Sequence, residues 1–438
     1  MNRITLALAA LLATCAAPAF ADAGLRSAIK ADYDSHLEPL FVHFHRNPEL
    51  SFLEVETAKR MAAELKKAGA DVTAGVGGTG LVGVMRNGPG PTVLLRADMD
   101  GLPLPEKSGL PYASKVVQKG QDGVAYPVMH ACGHDTHITA LVGAARRLAA
   151  MKDKWKGTIL FVVQPAEERL GGAKAMLADG LYTRFPKPDY AVAFHVDADT
   201  ATGKINAAET LSSSSADAID LMVPGIGTHG ASPHQGRDPI YIASQIVVAL
   251  QSITSRELGP LEPGVVTVGA FHSGTKHNII SDRADLQLTV RANNEKTRAQ
   301  IIAAVDRVAK GVARAHGMPE DKLPVVKLTE GTPTTINDPA LARRLLAAFR
   351  RDIGDVLVPF EQSGMGAEDF AYFIQPELKV PGFYFNVGGT PQAAFDAAKA
   401  GGPPVPGHHS PLFKIDPEPS ITLGTEAMVT AALELLRR

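Results

Sequence analysis

The amino-acid sequence predicts an α/β protein with a second, smaller α+β domain inserted in it. From about Leu25, helical and strand-like segments alternate along the chain, as is typical of a sheet covered by helices. After about Gly203 the order becomes strand, helix, strand, strand, helix, strand, which is the split unit of ferredoxin-like domains. Near Thr335 the first pattern resumes. We therefore expect the larger domain at 22–204 and 331–438, and the inserted domain at 205–330.

Composition narrows the class of protein. Of 438 residues, 45% are hydrophobic and 21% are charged, which excludes disordered, collagen-like and coiled-coil proteins. Lys and Arg number 44 and Asp and Glu 46, so a net charge of −2 favours neither nucleic acid nor an anionic membrane as a partner. Two cysteines are too few for a disulfide framework.

Residues 1–21 have the pattern of a secretory signal peptide. A positive start at Arg3 precedes an apolar run over 4–17 and an A-x-A cleavage site that ends at Ala21. The run is too short to span a bilayer, and core helices seldom end on such a site. Cleavage before Cys15, as in a lipoprotein, is the other alternative, but the threonine before that cysteine is unusual. We expect an exported protein, periplasmic or secreted, that keeps Cys132 as its single thiol.

The individual elements follow from periodicity. In the larger domain, apolar spacing predicts helices at Thr57–Ala68, Thr136–Met151 and Ile421–Leu436. Short continuous apolar runs predict buried parallel strands at Thr92–Arg96, Thr158–Val163 and Tyr190–Phe194. In the inserted domain, strands are predicted near Ala216–Val223, Val265–Phe271, Ala284–Arg291 and Pro324–Leu328, and helices at Pro239–Arg256 and Glu295–Ala315.

The three strands predicted for the larger domain run into groups that a strand interior would not tolerate. Asp98 and Asp100 follow the first strand, Glu167 and Glu168 the second, and His195 the third. In open α/β sheets, ligands bind beyond the carboxyl ends of the strands. We therefore expect these groups to converge on one site.

The sequence HACGHD, at 130–135, adds a thiol and imidazoles to this set. Taken singly, each group has a structural explanation: a hydrogen-bonded histidine, a solvated glutamate pair, or a cysteine that acts as a small buried hydrophobe. Together they form a metal-ligand inventory. In the pair Glu167–Glu168, one carboxylate can bind metal while the other acts as general base on a water.

Eight motifs extend this pattern over nearly all of the chain beyond the signal peptide. They are HRNPELSF at 45–52, LRADMD at 95–100, MHACGHD at 129–135, QPAEE at 164–168, GASPHQGRDP at 230–239, NII at 278–280, GAEDF at 366–370 and HSP at 409–411. In this combination and order, the sequence resembles the metal-dependent amidohydrolases and exopeptidases. That family includes aminoacylase, glutamate carboxypeptidases, hippurate hydrolase and the indole-acetyl-amino-acid hydrolases. The hippurate hydrolase branch is the most similar.

The resemblance implies a zinc-peptidase-like catalytic domain with a ferredoxin-like lid and dimerisation domain. It implies two divalent metal ions in each subunit, zinc or manganese, with nickel or cobalt as alternatives. The residues that match the family's metal ligands are Cys132, His134, Glu168, His195 and His409. Glu167 matches the general base, and Asp98 matches an acidic residue that orients the site.

One position departs from the wider family. Arg96 stands where that family has a metal-binding histidine. In the hippurate hydrolase branch, an arginine at this position occurs together with a cysteine at the position of Cys132. We therefore expect Cys132 to supply the metal ligand that Arg96 does not. Two further histidines, His408 and His137, lie close in sequence to the expected metal ligands. His409, rather than His408, has the right spacing to the proline of its motif, and His137 is expected to lie beside the metal site.

Three residues of the lid match residues that contact substrate. The resemblance implies that His229 reaches across a dimer interface to the scissile carbonyl, and that Asn278 and Arg291 hold the substrate's amide and carboxylate. An arginine suits the last role because its planar fork binds a carboxylate through two hydrogen bonds. The alternative for Arg291 is an ordinary exposed strand residue. The stretch at 225–228 lacks the family's usual lysine.

We therefore expect a metal-dependent hydrolase that cleaves N-acyl or N-aroyl amino acids to a carboxylic acid and a free amino acid. The expected partners are a small-molecule or short-peptide substrate and further copies of the chain, in a dimer or larger homo-oligomer, with no nucleic acid and no membrane. A carboxypeptidase or dipeptidase of the same chemistry is one alternative. A periplasmic binding protein without catalysis is another, but a binder has no need of a base such as Glu167 beside a metal.

Overall fold

The computed structural model describes residues 23–437. Its strands are, in chain order, β1 Asp71–Ala74, β2 Leu81–Asn87, β3 Thr92–Asp98, β4 Val117–Lys119, β5 Ala125–Pro127, β6 Gly157–Gln164, β7 Tyr190–Ala201, β8 Ile205–Asn206, β9 Leu211–Ser213, β10 Ser215–Pro224, β11 Thr228–His229, β12 Gly264–Ser273, β13 Ile279–Ile280, β14 Arg283–Ala292, β15 Val325–Thr332, β16 Thr335–Ile336, β17 Leu357–Val358 and β18 Gly382–Thr390. The α-helices are α1 Ala23–Asp32, α2 Glu38–Arg46, α3 Val55–Lys67, α4 His134–Ala150, α5 Gly172–Ala178, α6 Leu181–Arg184, α7 Pro239–Ser252, α8 Glu295–Ala315, α9 Pro339–Asp352, α10 Gln392–Lys399 and α11 Pro417–Leu435.

An eight-stranded sheet, in the order β1-β2-β6-β3-β7-β18-β8-β17, forms the larger domain. Strands β6, β3 and β7 lie side by side and run parallel, as the sequence predicts. Alternate residues of β3 enter different cores, with Val93 and Leu95 on the face covered by α4 and α11 and Leu94 on the other face. Because both faces are covered, these strands have continuous apolar runs rather than alternating ones.

The inserted domain is a four-stranded antiparallel sheet in the order β12-β14-β10-β15, with α7 and α8 packed against it. It has a hydrophobic core of its own, which includes Leu221, Ile246, Leu288 and Val305. The predicted fold class, an α/β domain with an inserted ferredoxin-like unit, is therefore confirmed. Helix α8 has the bounds that the sequence predicts, and its start is capped by the Asn294 side chain, which accepts a hydrogen bond from the N–H of Thr297.

The structure differs from the predicted domain bounds of 205 and 330 at both ends. Residues 205–206 form β8, which belongs to the large sheet between β18 and β17, and β15 continues to Thr332. A two-residue strand is too short to show a periodicity, so the sequence gives no sign of it. The last helix also begins earlier than predicted, at Pro417, because proline is favoured in the first turn of a helix.

The predicted signal peptide lies outside the described residues, so its cleavage and the export of the protein stay predictions. Within residues 23–437, no helix combines the length and the apolar character that crossing a membrane requires.

A glycine forms the turn between Cys132 and α4. Gly133 precedes the helix with φ of +87°, a left-handed conformation that L side chains rarely adopt. A Cβ atom at this position would lie 2.3 Å from Cγ1 of Val196 on β7. Both the backbone conformation and the lack of space therefore require glycine between the residues at 132 and 134.

We expect Gly133→Ala to lower the free energy of unfolding by roughly 3 kcal/mol, because strain and overpacking add together. Gly109→Ala is the matched control, since Gly109 has a similar φ of +77° but no atom within 4 Å of the added Cβ. It should lose only the strain contribution, about 1 kcal/mol. Denaturant titration of both variants measures the difference, and equal losses would show that the contact with Val196 is unimportant.

Candidate metal centre

The structure brings all of the predicted metal ligands together, with Glu167 among them. Possible ligand atoms lie within 4.8 Å of one another in three overlapping groups, which are Cys132 with His134 and His195, Cys132 with Glu168 and His409, and His134 with Glu167 and Glu168. In contrast to the prediction, β7 does not end at Phe194 but runs on to Ala201, because β18 continues to pair with it. His195 therefore lies within the strand.

Hydrogen bonds fix the tautomer of two of these histidines. Nδ1 of His134 donates to the backbone carbonyl of Asp100 at 2.9 Å, and Nδ1 of His195 donates to the carbonyl of Val196 at 2.6 Å. The lone pair of each ring then lies on Nε2, which is the atom that faces the other ligand groups. Nε2 of His195 is 3.4 Å from Sγ of Cys132.

Several buried polar atoms at the centre have no hydrogen-bond partner among the described residues. Two of them are Nε2 of His134 and Oε1 of Glu168, which lie 4.0 Å apart. Unpaired polar atoms in a protein interior are costly, so such a pair indicates a missing partner. A thiol, imidazoles and a carboxylate around them are the donor set of a transition-metal site, and the residues present therefore fit a divalent metal ion.

The ionisable groups at the centre perturb one another strongly. Burial raises the pKa of Glu167 well above its usual range, and the carboxylates of Glu368 and Glu168 raise it further. Burial also raises the pKa of the Cys132 thiol, with the neighbouring glutamates acting in the same direction. Burial alone would lower the pKa of His134, but the carboxylates of Asp98, Asp100 and Glu168 together outweigh it and the pKa rises to about 10. A bound cation would displace these protons, so metal binding should release them.

Arg96 is fully buried and serves as the cation of an ionic cluster. Its Nη1 lies 2.7 Å from Oδ2 of Asp98, its Nη2 lies 2.7 Å from Oε1 of Glu368, and its Nε donates to the side chain of Gln164 at 2.8 Å. Although burial raises the pKa of Asp98, Arg96 together with His134 and His137 keeps it well below its usual range. The arginine that replaces the family's histidine thus neutralises carboxylates behind the ligands instead of binding metal. The sequence contains Glu368 in a motif but does not reveal this partnership.

In the two other histidines near the centre, His137 and His408, one ring nitrogen already accepts a hydrogen bond from a backbone N–H. Nε2 of His137 accepts from the N–H of Val196 at 2.8 Å, and its Nδ1 donates to Oδ1 of Asp98 at 2.6 Å. Nε2 of His408 accepts from the N–H of Ala198 at 3.1 Å. His409, by contrast, places Nε2 3.4 Å from Oε2 of Glu168. The structure thus brings the predicted histidine of the pair, His409, to the centre.

Comparison with known proteins agrees with this geometry. The sequence profile of peptidase family M20/M25/M40 matches residues 94–399. The chain belongs to this family. Thermostable carboxypeptidase 2 of Saccharolobus solfataricus is 39% identical over 349 residues, which is 78% of this chain and 83% of the relative. Hippurate hydrolase of Campylobacter jejuni is 37% identical over 348 residues, 78% of this chain and 86% of that enzyme.

A solved structure shows the same fold. The Bacillus subtilis YXEP protein, described as a dinuclear metal-binding peptidase of the M20 family, superposes with a TM-score of 0.73 at 29% identity. The match covers 94% of this chain and 99% of that one. The resemblance inferred from the motifs is therefore confirmed.

The lid contributes one of its three predicted residues to the cavity of this M20 chain. Arg291 lines a cavity of about 500 Å³ together with Glu167 and four of the five ligand residues, which are Cys132, Glu168, His195 and His409. His229 and Asn278 are exposed and do not line it. Within one chain, the structure therefore does not bring these two residues to the metal centre.

Sequence reasoning missed the residues that hold the Glu167–Glu168 turn. The backbone N–H groups of Glu167 and Glu168 each donate to the carboxylate of Asp100 at 3.1 Å, and the hydroxyl of Ser51 donates to it at 2.6 Å. The turn begins at Ala166, whose φ of +48° is unfavourable for a residue with a side chain. Asp100 thus compensates for a strained backbone. The position of Asp100 directly after β3 indicates that it lies near the site, but the sequence does not show which N–H and O–H groups donate to it.

A second buried carboxylate supports the same turn. Oε1 of Glu54 accepts from the N–H of Ala166 at 2.8 Å and from that of Phe52 at 2.9 Å, and Thr79 donates to Oε2. Burial, with the nearby charge of Asp100, raises the pKa of Glu54 to about 7. Glu54, just after the motif at 45–52, therefore holds the backbone beside the metal ligands.

We expect Asp100→Ala to lower the free energy of unfolding by about 3 kcal/mol and to reduce turnover strongly, because two buried N–H groups lose their acceptor. Ser51→Ala is the matched control. It removes one donor to the same carboxylate but keeps both backbone contacts, and it should cost about 1 kcal/mol. Denaturant titration and turnover measure both effects. Equal stability and activity in the two variants would contradict a positioning role for Asp100.

Proposed function

We propose that this protein is a metal-dependent amidohydrolase that cleaves the amide bond of N-acyl amino acids and releases a carboxylic acid and a free amino acid. The observation that carries the proposal is the placement of Glu167, a buried carboxyl group, beside a metal-ligand set in a cavity that also contains Arg291. Hydrolysis of an amide needs a base for water, and an acylated amino acid also presents a carboxylate for an arginine. Hippurate hydrolase and N-acetyl-L-cysteine deacetylase are among the relatives.

In this proposal, two divalent ions are held by the five ligands of the centre, which are Cys132, His134, Glu168, His195 and His409. When bound, such ions polarise a carbonyl group and lower the pKa of a water. A thiolate ligand favours zinc over manganese in affinity, while imidazole and carboxylate ligands accept either.

Glu167 moves the proton. One carboxylate oxygen accepts a proton from the attacking water, and the same group then delivers it to the nitrogen that leaves. The position of Glu167 among the ligand groups suits this task, because a general base must lie within reach of the water that it deprotonates.

Arg291 orients the substrate. Its Nη1 donates to the hydroxyl of Thr289 at 2.6 Å and to the carbonyl of Val290 at 3.2 Å, which fixes the guanidinium plane at the cavity wall. A substrate carboxylate bound there would hold the scissile amide near Glu167 at the other side of the cavity.

Carboxypeptidase or dipeptidase activity is the second candidate, and the carboxypeptidase relative at 39% identity favours it. Both activities use the same base and ligands, so the substrate decides between them. Assays of N-acyl amino acids against dipeptides and longer peptides, each with zinc, manganese, cobalt or nickel, separate the two. Faster turnover of peptides by the enzyme would replace the first proposal with the second.

We expect Glu167→Gln to reduce turnover by roughly 100-fold or more while metal content is retained, because the amide keeps the volume but cannot accept the proton. Glu56→Gln is the control, since Glu56 lies exposed on α3. Turnover and bound metal are measured on the same samples. Near wild-type turnover of metal-loaded Glu167→Gln would contradict the role of this residue.

We propose further that His229 acts in a neighbouring subunit, because it is exposed and lies away from the cavity of its own chain. His229→Ala should then be inactive with a normal metal content, and so should Glu167→Gln. Mixed subunits of the two variants should recover part of the activity, since one hybrid site has both wild-type residues. The exposed neighbour His234→Ala serves as the control. Lack of recovery after demonstrated subunit exchange would contradict action between subunits.

A further inference from the structure

A second cavity, of about 460 Å³, opens beside the metal centre in the larger domain. Its walls are the segment before α3, the loop that follows β3, and the hairpin of β4 and β5. The lining surface is mainly apolar and comes from Leu50, Leu53, Leu102, Pro103 and Tyr126. Five polar side chains also line the cavity, those of Ser51, Gln121, Asp122, Glu168 and Arg169. Cavities of this size and composition hold small organic groups.

Several of the polar groups at the edge of this cavity are already paired. The hydroxyl of Tyr126 donates to Oδ2 of Asp122 at 2.6 Å, and Nη1 of Arg169 donates to Oε1 of Gln121 at 3.1 Å. The hydroxyl of Ser51 donates to Asp100. With these groups occupied by one another, the cavity presents its apolar walls to a ligand, and burial of apolar surface is the interaction it offers.

Glu168 connects the two cavities, because it lines both this one and the cavity that contains Arg291. Glu168 is also a member of the ligand groups. The two cavities therefore adjoin at a residue of the metal centre. One cavity has a guanidinium and the other has mainly apolar walls.

We propose that this apolar cavity binds the acyl group of the substrate, and that the enzyme prefers aromatic or medium-length aliphatic acyl groups to acetyl. The inference rests on the proposed function and adds the class of acyl group. With the substrate carboxylate at Arg291 and the scissile amide at Glu168, the remaining part of an N-acyl amino acid enters the hairpin cavity.

The test is a series of substrates with one amino acid and acetyl, butyryl, hexanoyl, octanoyl or benzoyl as the acyl group. For the wild-type holoenzyme we expect kcat/KM to rise about fourfold with each added methylene until the cavity is filled. Leu53→Trp, which fills the cavity, should reduce kcat/KM for octanoyl at least tenfold more than for acetyl. Leu53→Ala, which enlarges the cavity, should shift the optimum to longer chains. Val117→Ala, on β4 but outside the lining, should leave the series unchanged.

Binding of the free acids, measured by calorimetry, separates this inference from the proposed function. Octanoate should bind to the wild-type holoenzyme at least tenfold more tightly than acetate, and Leu53→Trp should remove the difference. If that holds while no N-acyl amino acid is cleaved, the proposed function is wrong and the apolar subsite stands. A flat kcat/KM series, an equal loss for all substrates in Leu53→Trp, or equal affinity for octanoate and acetate would overturn the subsite.

Discussion

The guanidinium of Arg96 lies fully buried against three carboxylates, those of Asp98, Glu368 and Asp369. Glu167 lies next to two of them, since possible ligand atoms of Glu167, Glu368 and Asp369 are within 4.8 Å of one another. Without the buried cation, this concentration of acid could exist in the interior only in protonated form. Removal of one partner from a buried ionic cluster typically costs about 3–5 kcal/mol. The acidity of the centre, and hence its affinity for cations, therefore depends on a charge that touches no metal ligand directly.

Buried charged groups also stabilise the backbone around the ligands. The turn that presents Glu167 and Glu168 begins in a left-handed conformation at Ala166, and the carboxylates of Glu54 and Asp100 accept its N–H groups. Charged acceptors make strong hydrogen bonds to backbone N–H groups, and here they offset strain where the two glutamates must point inward. The result is a rigid position for the base and for the ligand next to it.

The sequence predicts the parts of this protein that local patterns determine. Parallel strands and their meeting carboxyl ends follow from short apolar runs that end at Arg96, Val163 and Phe194, although the third strand continues beyond its apolar run. Partners that are distant in sequence leave no such pattern. Arg96 and Glu368 are 272 positions apart, so their ion pair could not be inferred from spacing. The acceptor role of Asp100 was hidden for a related reason, because backbone N–H groups have no signature in a sequence.

The larger domain and the inserted domain have separate hydrophobic cores. The larger domain supplies the metal ligands and the hairpin cavity, whereas Arg291 projects from β14, which packs on the core of the inserted domain. In the proposed assignment, the acyl end and the amino-acid end of one substrate are thus recognised by parts of the chain that are stabilised independently. Substitutions in the inserted domain can then change the preferred amino acid without disturbing the metal ligands. Substitutions in one surface hairpin can change the preferred acyl group. The preferences for the two ends of the substrate can therefore evolve separately and at different rates.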